Sequence, residues 1–229
     1  LHDVLSGKDP VLKFSIKSML GSSSTLINSS HATNIRYRVV GNLTEEHVDM
    51  LDNRGGKKYA PLFRKMIDSG VEFIFDGIDS KHFEENLIML DSRMPEIVAE
   101  ILKLHYFEGV RFISDHISIL NERNPLKYKI TECPMYEYKI RRLLVSYALG
   151  MNSDILWSGD EDANGGFIIV NSAGESVCLN VYNRNDFEHY LLKYTKTDTP
   201  SSGKHNFGRI IKENDGYYLN LNLQVRFIN

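Results

Sequence analysis

Residues 11–18 read Val-Leu-Lys-Phe-Ser-Ile-Lys-Ser, and this stretch decides how the start of the chain folds. It is rich in β-prone residues, as is the shorter run over residues 1–5. Between the two runs lies Ser6-Gly7-Lys8-Asp9-Pro10, whose residue types favour a turn. Residues 1–18 therefore predict a β-hairpin.

The predicted hairpin brings an acid and a lysine to one face of a sheet. Asp3 lies on the first strand, and Ser15 and Lys17, two residues apart on the second strand, share a face. Metal-dependent phosphodiester cleavage needs carboxylates that hold a divalent cation and a lysine that orients the attacking water. The arrangement resembles the site of PD-(D/E)xK nucleases. It makes Asp3, Ser15 and Lys17 the candidate catalytic residues, with Asp3 as the metal ligand.

One carboxylate of that pattern is missing, because Ser15 stands where Asp or Glu is expected. The Ile16 carbonyl, the Ser15 hydroxyl or a water remain as alternatives for the second ligand. The first carboxylate is also open between Asp3, Asp9 and an acid upstream of Leu1. Asp3 is favoured because Asp9 lies too near the turn to reach the same face deep in the sheet.

Composition bounds the class of protein. The 229 residues, 42% of them apolar, suffice for one large domain or two small ones. A formal net charge of -3 excludes a generally basic nucleic-acid coat but allows a local basic cleft. No run approaches the roughly 18 apolar residues of a membrane span, and no secretory signal is recognisable, so the cytoplasm is the expected location. The strand-like start at Leu1 leads us to expect further sequence upstream.

Hydrophobic periodicity divides the chain into a helical middle and a strand-rich end. Helices are predicted over residues 59–68, 83–91, 97–106 and 136–149, the last closed by Gly150. From residue 155 onward strands dominate, at residues 167–170, 177–182, 207–211 and 217–227, with one helix over residues 186–194. The pattern predicts an α/β (α+β) fold with a helical middle and a carboxy-terminal β region. The resemblance to PD-(D/E)xK nucleases implies that helices flank a nuclease core sheet in this fold. We describe residues 1–150 as the core with its helical segment and residues 151–229 as a carboxy-terminal β region of the same unit.

Several motifs, separated along the chain, share their residues and their order with one known protein family. The first run is Phe14-Ser15-Ile16-Lys17-Ser18-Met19-Leu20-Gly21, continued by Ser24-Thr25-Leu26-Ile27-Asn28 and Ala32-Thr33-Asn34. The second group comprises Ala148-Leu149-Gly150-Met151, Trp157-Ser158-Gly159, Gly165-Gly166, Tyr182-Asn183-Arg184-Asn185, Phe187-Glu188, Ser201-Ser202, Phe207-Gly208 and Leu221-Asn222-Leu223-Gln224-Val225-Arg226-Phe227. These motifs bracket the whole chain, and in identity and in order they resemble the HpaII family of type II restriction endonucleases.

The resemblance implies a type II restriction endonuclease that cleaves double-stranded DNA at a short palindrome similar to CCGG, with Mg²⁺ as cofactor. It further implies a restriction-modification system with a companion cytosine methyltransferase, and it leaves a homodimer and a monomer both open. Family members resemble one another in having Ser-Ile-Lys at this place. Ser15 is therefore a departure from the wider nuclease superfamily and not from this family.

Polar residues near the lysine strand and near the helix at residue 186 are the candidates for contacting DNA. Those after the lysine strand suit phosphate contacts, and Arg184, between two asparagines, suits base reading in the major groove. The segment 157–166, with three successive acids before two glycines, is either a loop approaching the bases or a tight acidic turn. The candidates are Ser24, Thr25, Asn28, Thr33, Asn34, Asn183, Arg184, Asn185, Ser201, Ser202 and Lys204.

Two other classes compete with the nuclease interpretation. A sequence-specific DNA-binding protein with a degenerate nuclease site would explain Ser15 in place of an acid. A phosphate-handling enzyme that uses its glycine-rich segments is disfavoured, because neither G-x-x-x-x-G-K-[ST] nor G-x-G-x-x-G occurs.

Overall fold

The structure is a computed structural model, and it describes residues 7, 11–20, 23–129, 132–171, 173–201 and 204–228. The strands are β1 (Phe14–Ser18), β2 (Thr25–Ile27), β3 (Asn34–Gly41), β4 (Val71–Ile78), β5 (Gly166–Val170), β6 (Ser176–Asn180), β7 (Thr195–Thr197), β8 (Ile210–Glu213), β9 (Gly216–Asn222) and β10 (Val225–Phe227). The α-helices are α1 (Glu45–Asp52), α2 (Tyr59–Asp68), α3 (Lys81–Leu90), α4 (Met94–Lys103), α5 (Ile113–Arg123), α6 (Met135–Leu149) and α7 (Arg184–Tyr194). This mixture confirms the predicted α+β class.

The largest sheet is antiparallel, with the strand order β4-β3-β9-β8. Alternation along β3 buries Ile35, Tyr37 and Val39 on one side and leaves Arg36 and Arg38 on the other. Helices α2 and α4 cover the buried side, where the Tyr37 hydroxyl donates to the carbonyl oxygen of Ala99 at 2.7 Å. One hydrophobic core therefore joins the sheet to the helical middle.

Two smaller sheets hold the ends of the chain together. In the order β1-β5-β6, β1 runs parallel to β5, and β6 is antiparallel to it. In the order β2-β10-β7, all pairs are antiparallel. Helix α6 packs against α3, α5 and α7 and also contacts β2 and β5, so it lies between the helices and both small sheets.

Each sheet combines strands from before and after residue 150. The helical middle of the chain separates β1 from its parallel partner β5. Similarly, β3 pairs with β9, which lies near the end of the chain. The strands of both regions meet in all three sheets of the described residues. The division of the chain at residue 150 stays a prediction.

Most long elements match the predictions, with shifted ends. The predicted helices over residues 59–68 and 136–149 correspond to α2 and α6, and the predicted strand over residues 207–211 begins later, as β8. The helix predicted over residues 97–106 is α4 followed by a π-helical turn, Leu104–Glu108, which ends at Gly109 with φ 79°. Within the described part of the chain, no helix is both long and apolar enough to cross a membrane.

The described residues include only the second half of the predicted hairpin. Residues 1–5, its first strand, lie outside the described residues, as do Asp3 and Asp9. The second strand exists as β1, shorter than the predicted residues 11–18, and its described neighbour is β5. The pairing of β1 with residues 1–5 stays a prediction.

Candidate functional site

A cavity of about 420 Å³ opens where β1 passes the carboxy-terminal end of α6. Its walls come from four parts of the chain: β1, β2 with the residue after it, the end of α6 with the loop that follows, and the segment before β5. The polar side chains that line it are Lys13, Ser15, Lys17, Asn28, Tyr147, Asn152, Ser153, Asp154 and Asp162. A cavity with hydroxyls, amides, lysines and carboxylates suits a polar, charged ligand.

Ser15 and Lys17 both line this cavity, and Ile16 between them is 65% exposed on the opposite side of the strand. The register explains the orientation, because Ser15 pairs with Phe167 and Lys17 with Ile169, both of which are buried. The sequence-based expectation that Ser15 and Lys17 share a face agrees with this geometry. Their role in catalysis stays a proposal.

Lys17 carries a charge that the described protein does not neutralise. Its side chain is half-buried, and burial lowers the pKa of its ammonium group. Within the described residues, no hydrogen bond or ion pair to Lys17 is present. An ammonium group in this setting is available to an anionic ligand such as a phosphate.

The far wall is fixed by a buried asparagine that the sequence analysis missed. Asn86 of α3 is fully buried, and its Nδ2 donates to the carbonyl oxygens of Asn152 at 2.9 Å and Ile155 at 2.8 Å. Its Oδ1 accepts from the backbone N–H of Trp157 at 2.8 Å. The Asn86 side chain thus holds the loop after α6. In the sequence, the only indication of this role is the position of Asn86 among the apolar residues of an amphipathic helix.

Asp154 lies on the rim of the cavity and is already engaged. Its Oδ1 accepts from the Ser30 hydroxyl at 3.0 Å, and the same Ser30 oxygen accepts from the N–H of Ala32, where it caps the short 3₁₀ turn His31–Thr33. The Ser153 hydroxyl bonds to the hydroxyl of Tyr147. These contacts join the loop after α6 to the segment after β2.

The segment 157–166 forms a tight acidic turn. Nε1 of Trp157 donates to the carbonyl oxygen of Asp160 at 2.8 Å, and the Ser158 hydroxyl donates to Oδ2 of Asp160 at 3.0 Å. The glycines serve close packing, because a Cβ on Gly165 would come within 2.8 Å of the Phe14 ring. Close strand packing thereby explains Gly165. Of the three acids, Asp160 accepts from Ser158, Glu161 pairs with Arg184, and Asp162 lines the cavity.

Of the candidate DNA contacts near β1, Asn28 is exposed in the cavity, whereas Thr33 and Asn34 are fully buried. The Thr33 hydroxyl donates to the Ser30 carbonyl oxygen at 3.1 Å, and Nδ2 of Asn34 donates to the His205 carbonyl oxygen at 2.8 Å. These two side chains therefore have intramolecular partners. Ser24 and Thr25 lie at β2, where Thr25 Oγ1 accepts from Nε of Arg226 at 3.4 Å.

The remaining candidates lie around the start of α7 and in the segment after β7. Asn183 is the N-cap residue of α7, and its amide donates to Asp186. Arg184 pairs with Glu188 and Glu161, while Asn185 is exposed. Ser201 and Lys204 are exposed, and Ser202 lies outside the described residues. Among the described residues, none of these candidates lines the cavity.

Comparison with known proteins assigns the chain to a family. Residues 1–227 match the family described as HpaII restriction endonuclease. The chain belongs to the HpaII restriction endonuclease family. The HpaII family match begins ahead of the strand that carries Lys17 and ends with the last strand of the fold, which confirms the resemblance found in the motifs.

A curated relative agrees with the HpaII family assignment. The chain is 38% identical over 231 aligned residues to the type II restriction enzyme HpaII of Haemophilus parainfluenzae. The alignment covers 100% of this chain and 63% of that enzyme, so the chain spans less than two thirds of its relative's length. No solved structure matches the chain.

Proposed function

We propose that this chain is the catalytic part of a type II site-specific deoxyribonuclease that hydrolyses phosphodiester bonds of double-stranded DNA. The observation that carries the proposal is the unpaired, half-buried Lys17 beside Ser15 in a polar cavity of a restriction endonuclease family member. The core would be a PD-(D/E)xK-like sheet in which Ser15 replaces one acid.

The proposed reaction is an in-line hydrolysis. The oxygen of a water molecule forms a bond to phosphorus, one P–O bond of the backbone breaks, and the leaving oxygen takes up a proton. Lys17 would donate to a non-bridging phosphate oxygen and hold the water against the phosphorus. Ser15 and Asn28 would donate further hydrogen bonds that position the phosphate.

The donors present fit a hard divalent cation such as Mg²⁺, which prefers oxygen ligands and keeps several waters. Carboxylate, hydroxyl and amide oxygens line the cavity, although no group of three His, Cys, Asp or Glu side chains that could hold a metal occurs in the described residues. When bound, the cation would neutralise charge that develops on the phosphate. Asp3 stays our proposal for one ligand, from the predicted first strand of the hairpin.

The resemblance extends the proposal to the target and the partners. We infer a CCGG-like palindrome as the cleavage site, with Arg184 as a reader of guanine. A palindrome has two-fold symmetry, which a homodimer of this chain would match. A companion cytosine methyltransferase would protect the host sites, and both proteins would act in the cytoplasm, where the DNA is.

Digestion of a plasmid tests the function directly. The purified protein is incubated with plasmid DNA that contains CCGG sites, with Mg²⁺ and with EDTA, and the product ends are sequenced. We expect discrete fragments with Mg²⁺ alone, whose ends map to one short palindrome. Random fragmentation would contradict site specificity, and intact plasmid at every Mg²⁺ concentration would contradict the nuclease.

A DNA-binding protein with a degenerate nuclease site is the alternative, in which Ser15 would mark a lost acid. It predicts intact plasmid together with tight binding to one duplex sequence. A gel-shift series on the same preparation, with CCGG and scrambled duplexes, separates this alternative from an enzyme that is merely inactive.

A further inference from the structure

We propose that Asp162 supplies the carboxylate that β1 lacks, and that it binds the divalent cation in the cavity beside Lys17. This inference rests on the proposed function and deepens it, because it names the second acid of the metal site. The carboxylate would come from the segment before β5, the parallel neighbour of β1, and not from the lysine strand itself.

The topology brings Asp162 to the correct place. Strands β1 and β5 are parallel, with Phe14 in register with Gly166, so the segments that lead into them lie at the same end of the sheet. The N–H of Gly165 donates to the carbonyl oxygen of Lys13 at 2.8 Å, which extends this contact before the strands begin. Asp162 consequently lines the same cavity as Ser15 and Lys17.

Its carboxylate is free where those of its neighbours are engaged. Asp154 accepts from Ser30, Asp160 accepts from Ser158, and Glu161 pairs with Arg184. Within the described residues, Asp162 has no hydrogen-bonding or ion-pair partner, as is true of Lys17. Among the described residues that line the cavity, the carboxylate of Asp162 and the ammonium groups of Lys13 and Lys17 therefore have no partner.

The segment holds Asp162 in place by contacts on both sides. The N–H of Ala163 donates to the Leu149 carbonyl oxygen at 3.1 Å, and Nη1 of Arg184 lies 3.4 Å from Oε1 of Glu161. The side chain itself rests against Gly150, where an added Cβ would lie 2.9 Å from both Cβ and Oδ2 of Asp162. The backbone around Asp162 is thus anchored, and its exposed carboxylate faces the cavity next to Gly150.

Electrostatics indicates which ligand that is. A carboxylate beside a bound phosphate repels it unless a cation lies between them. Magnesium sites in enzymes that act on phosphates commonly combine one or two carboxylates with water and phosphate oxygens. If Lys17 holds a phosphate, an Asp162 carboxylate nearby is favourable when it binds a cation that lies between the two. Without a cation, the two negative charges would repel each other.

Metal binding without DNA tests the proposal independently of cleavage. Isothermal titration calorimetry measures the Mn²⁺ affinity of the purified wild type, of Asp162→Asn and of Asp160→Asn. Asp160→Asn is the control, because the side chain of Asp160 does not line the cavity. We expect Asp162→Asn to weaken Mn²⁺ binding about tenfold or more, given that even outer-shell changes cost 10–100-fold. Asp160→Asn should bind Mn²⁺ like the wild type. Circular dichroism checks the fold, and Asp162→Ser replaces Asp162→Asn if the latter misfolds.

The outcomes separate this inference from the proposed function. Unchanged Mn²⁺ affinity and unchanged plasmid cleavage in both Asp162 variants would overturn the role of Asp162 and leave the nuclease intact. Mn²⁺ binding that depends on Asp162 in a protein that never cuts DNA would support the metal site and overturn the nuclease. Loss of Mn²⁺ binding in Asp160→Asn as well would attribute the effect to the turn and overturn the inference.

Discussion

Nε of Arg184 donates to Oε1 of Glu188 at 3.0 Å, one turn further along α7. Glu188 is buried, with 8% of its surface exposed, and its Oε2 lies 3.3 Å from Nη1 of Arg141 on α6. Arg184 also pairs with Glu161. Through Glu188, the Arg184 guanidinium links α7 to α6. Through Glu161, it contacts the segment that carries Asp162. To read a base, Arg184 would have to break at least its contact with Glu161.

The first prediction decides between these roles of Arg184. If it reads guanine through O6 and N7, Arg184→Ala should cost roughly 1 to 3 kcal/mol of discrimination, weakening cognate binding more than binding to a scrambled duplex. Titrations of both duplexes at several salt concentrations measure this. A parallel loss on both, with a salt slope reduced by about one, would indicate a phosphate contact. Glu161→Gln is the control, because it removes one of the two ion pairs of Arg184, leaves the pair with Glu188, and should not weaken cognate binding.

The second prediction concerns Lys17. Lys17→Ala should abolish cleavage and leave specific binding within about tenfold, because the lysine acts mainly in the transition state. Single-turnover digestion with Mg²⁺ and binding without Mg²⁺ give the two quantities. Lys81→Ala, at the exposed start of α3, is the matched control and should behave like the wild type. Cleavage by Lys17→Ala at a rate near that of the wild type would remove the lysine from the mechanism.

The third prediction concerns the acids of the predicted hairpin. Asp3→Asn should remove most of the Mg²⁺-dependent activity, since it deletes a proposed ligand, while Asp9→Asn should have little effect. Matched digestions over a range of Mg²⁺ concentrations provide the comparison. The reverse result would transfer the ligand to the turn and reject the register predicted for residues 1–18.

The fourth prediction separates the position of Asp162 from its charge. Gly150 and Gly159 have φ of 136° and 90°, so an alanine is strained at either position. Only at Gly150 would the new methyl group collide with Asp162, whereas at Gly159 its nearest neighbour is Met89 Cε at 3.7 Å. Gly150→Ala should therefore weaken Mn²⁺ binding and slow cleavage more than Gly159→Ala does. Equal effects in both variants, measured by titration and digestion, would show that backbone strain alone is responsible.

The fifth prediction concerns acid stability and a buried histidine pair. His116 is fully buried, its Nε2 bonds to Thr197 Oγ1 at 3.0 Å, and its Nδ1 has no partner in the described residues. Burial, and then the nearby His105, lower the pKa of His116 from 6.5 to about 3. Below pH 6.5 the unfolded chain therefore takes up a proton that the folded protein excludes, and stability falls as the pH is lowered towards 3.

At pH 5 this linkage amounts to about 2 kcal/mol lost relative to neutral pH. Urea unfolding between pH 5 and 7.5 measures it. His116→Phe should flatten the dependence of the unfolding free energy on pH, whereas the exposed His82→Gln should leave it unchanged. A slope as steep in His116→Phe as in the wild type would assign the acid sensitivity to other groups.

The sequence predicted those parts of the fold that local pattern determines. Helices α2 and α6 have apolar residues at helical spacing, and the alternation of Ser15, Ile16 and Lys17 showed which side chains share a side of β1. The parallel pairing of β1 with β5 was not predictable, because a short strand gives no local sign of its partner.

The candidate site was predicted only in part for the same reason. Lys17 and Ser15 stand in one motif, while Asp162 reaches the cavity from a distant segment and Asn86, on another, holds the loop that forms part of its wall. Three successive acids at residues 160–162 look alike in the sequence, and only the fold distinguishes the one that lines the cavity from the two engaged elsewhere. Asn86 lies in a helix whose pattern describes its apolar residues and gives no sign of a buried amide.

The joining of β1 to β5 also sets a time at which the cavity can exist during synthesis. The backbone N–H of Lys13 bonds to Oδ1 of Asn164, 151 residues later in the chain. At roughly 5–20 residues per second, the ribosome needs roughly 8 to 30 seconds to make the residues between them. Until then Lys17 has neither the parallel strand beside it nor the loop that closes the cavity. An incomplete nascent chain therefore lacks the assembled site, and prematurely terminated products that end before β5 cannot contain it.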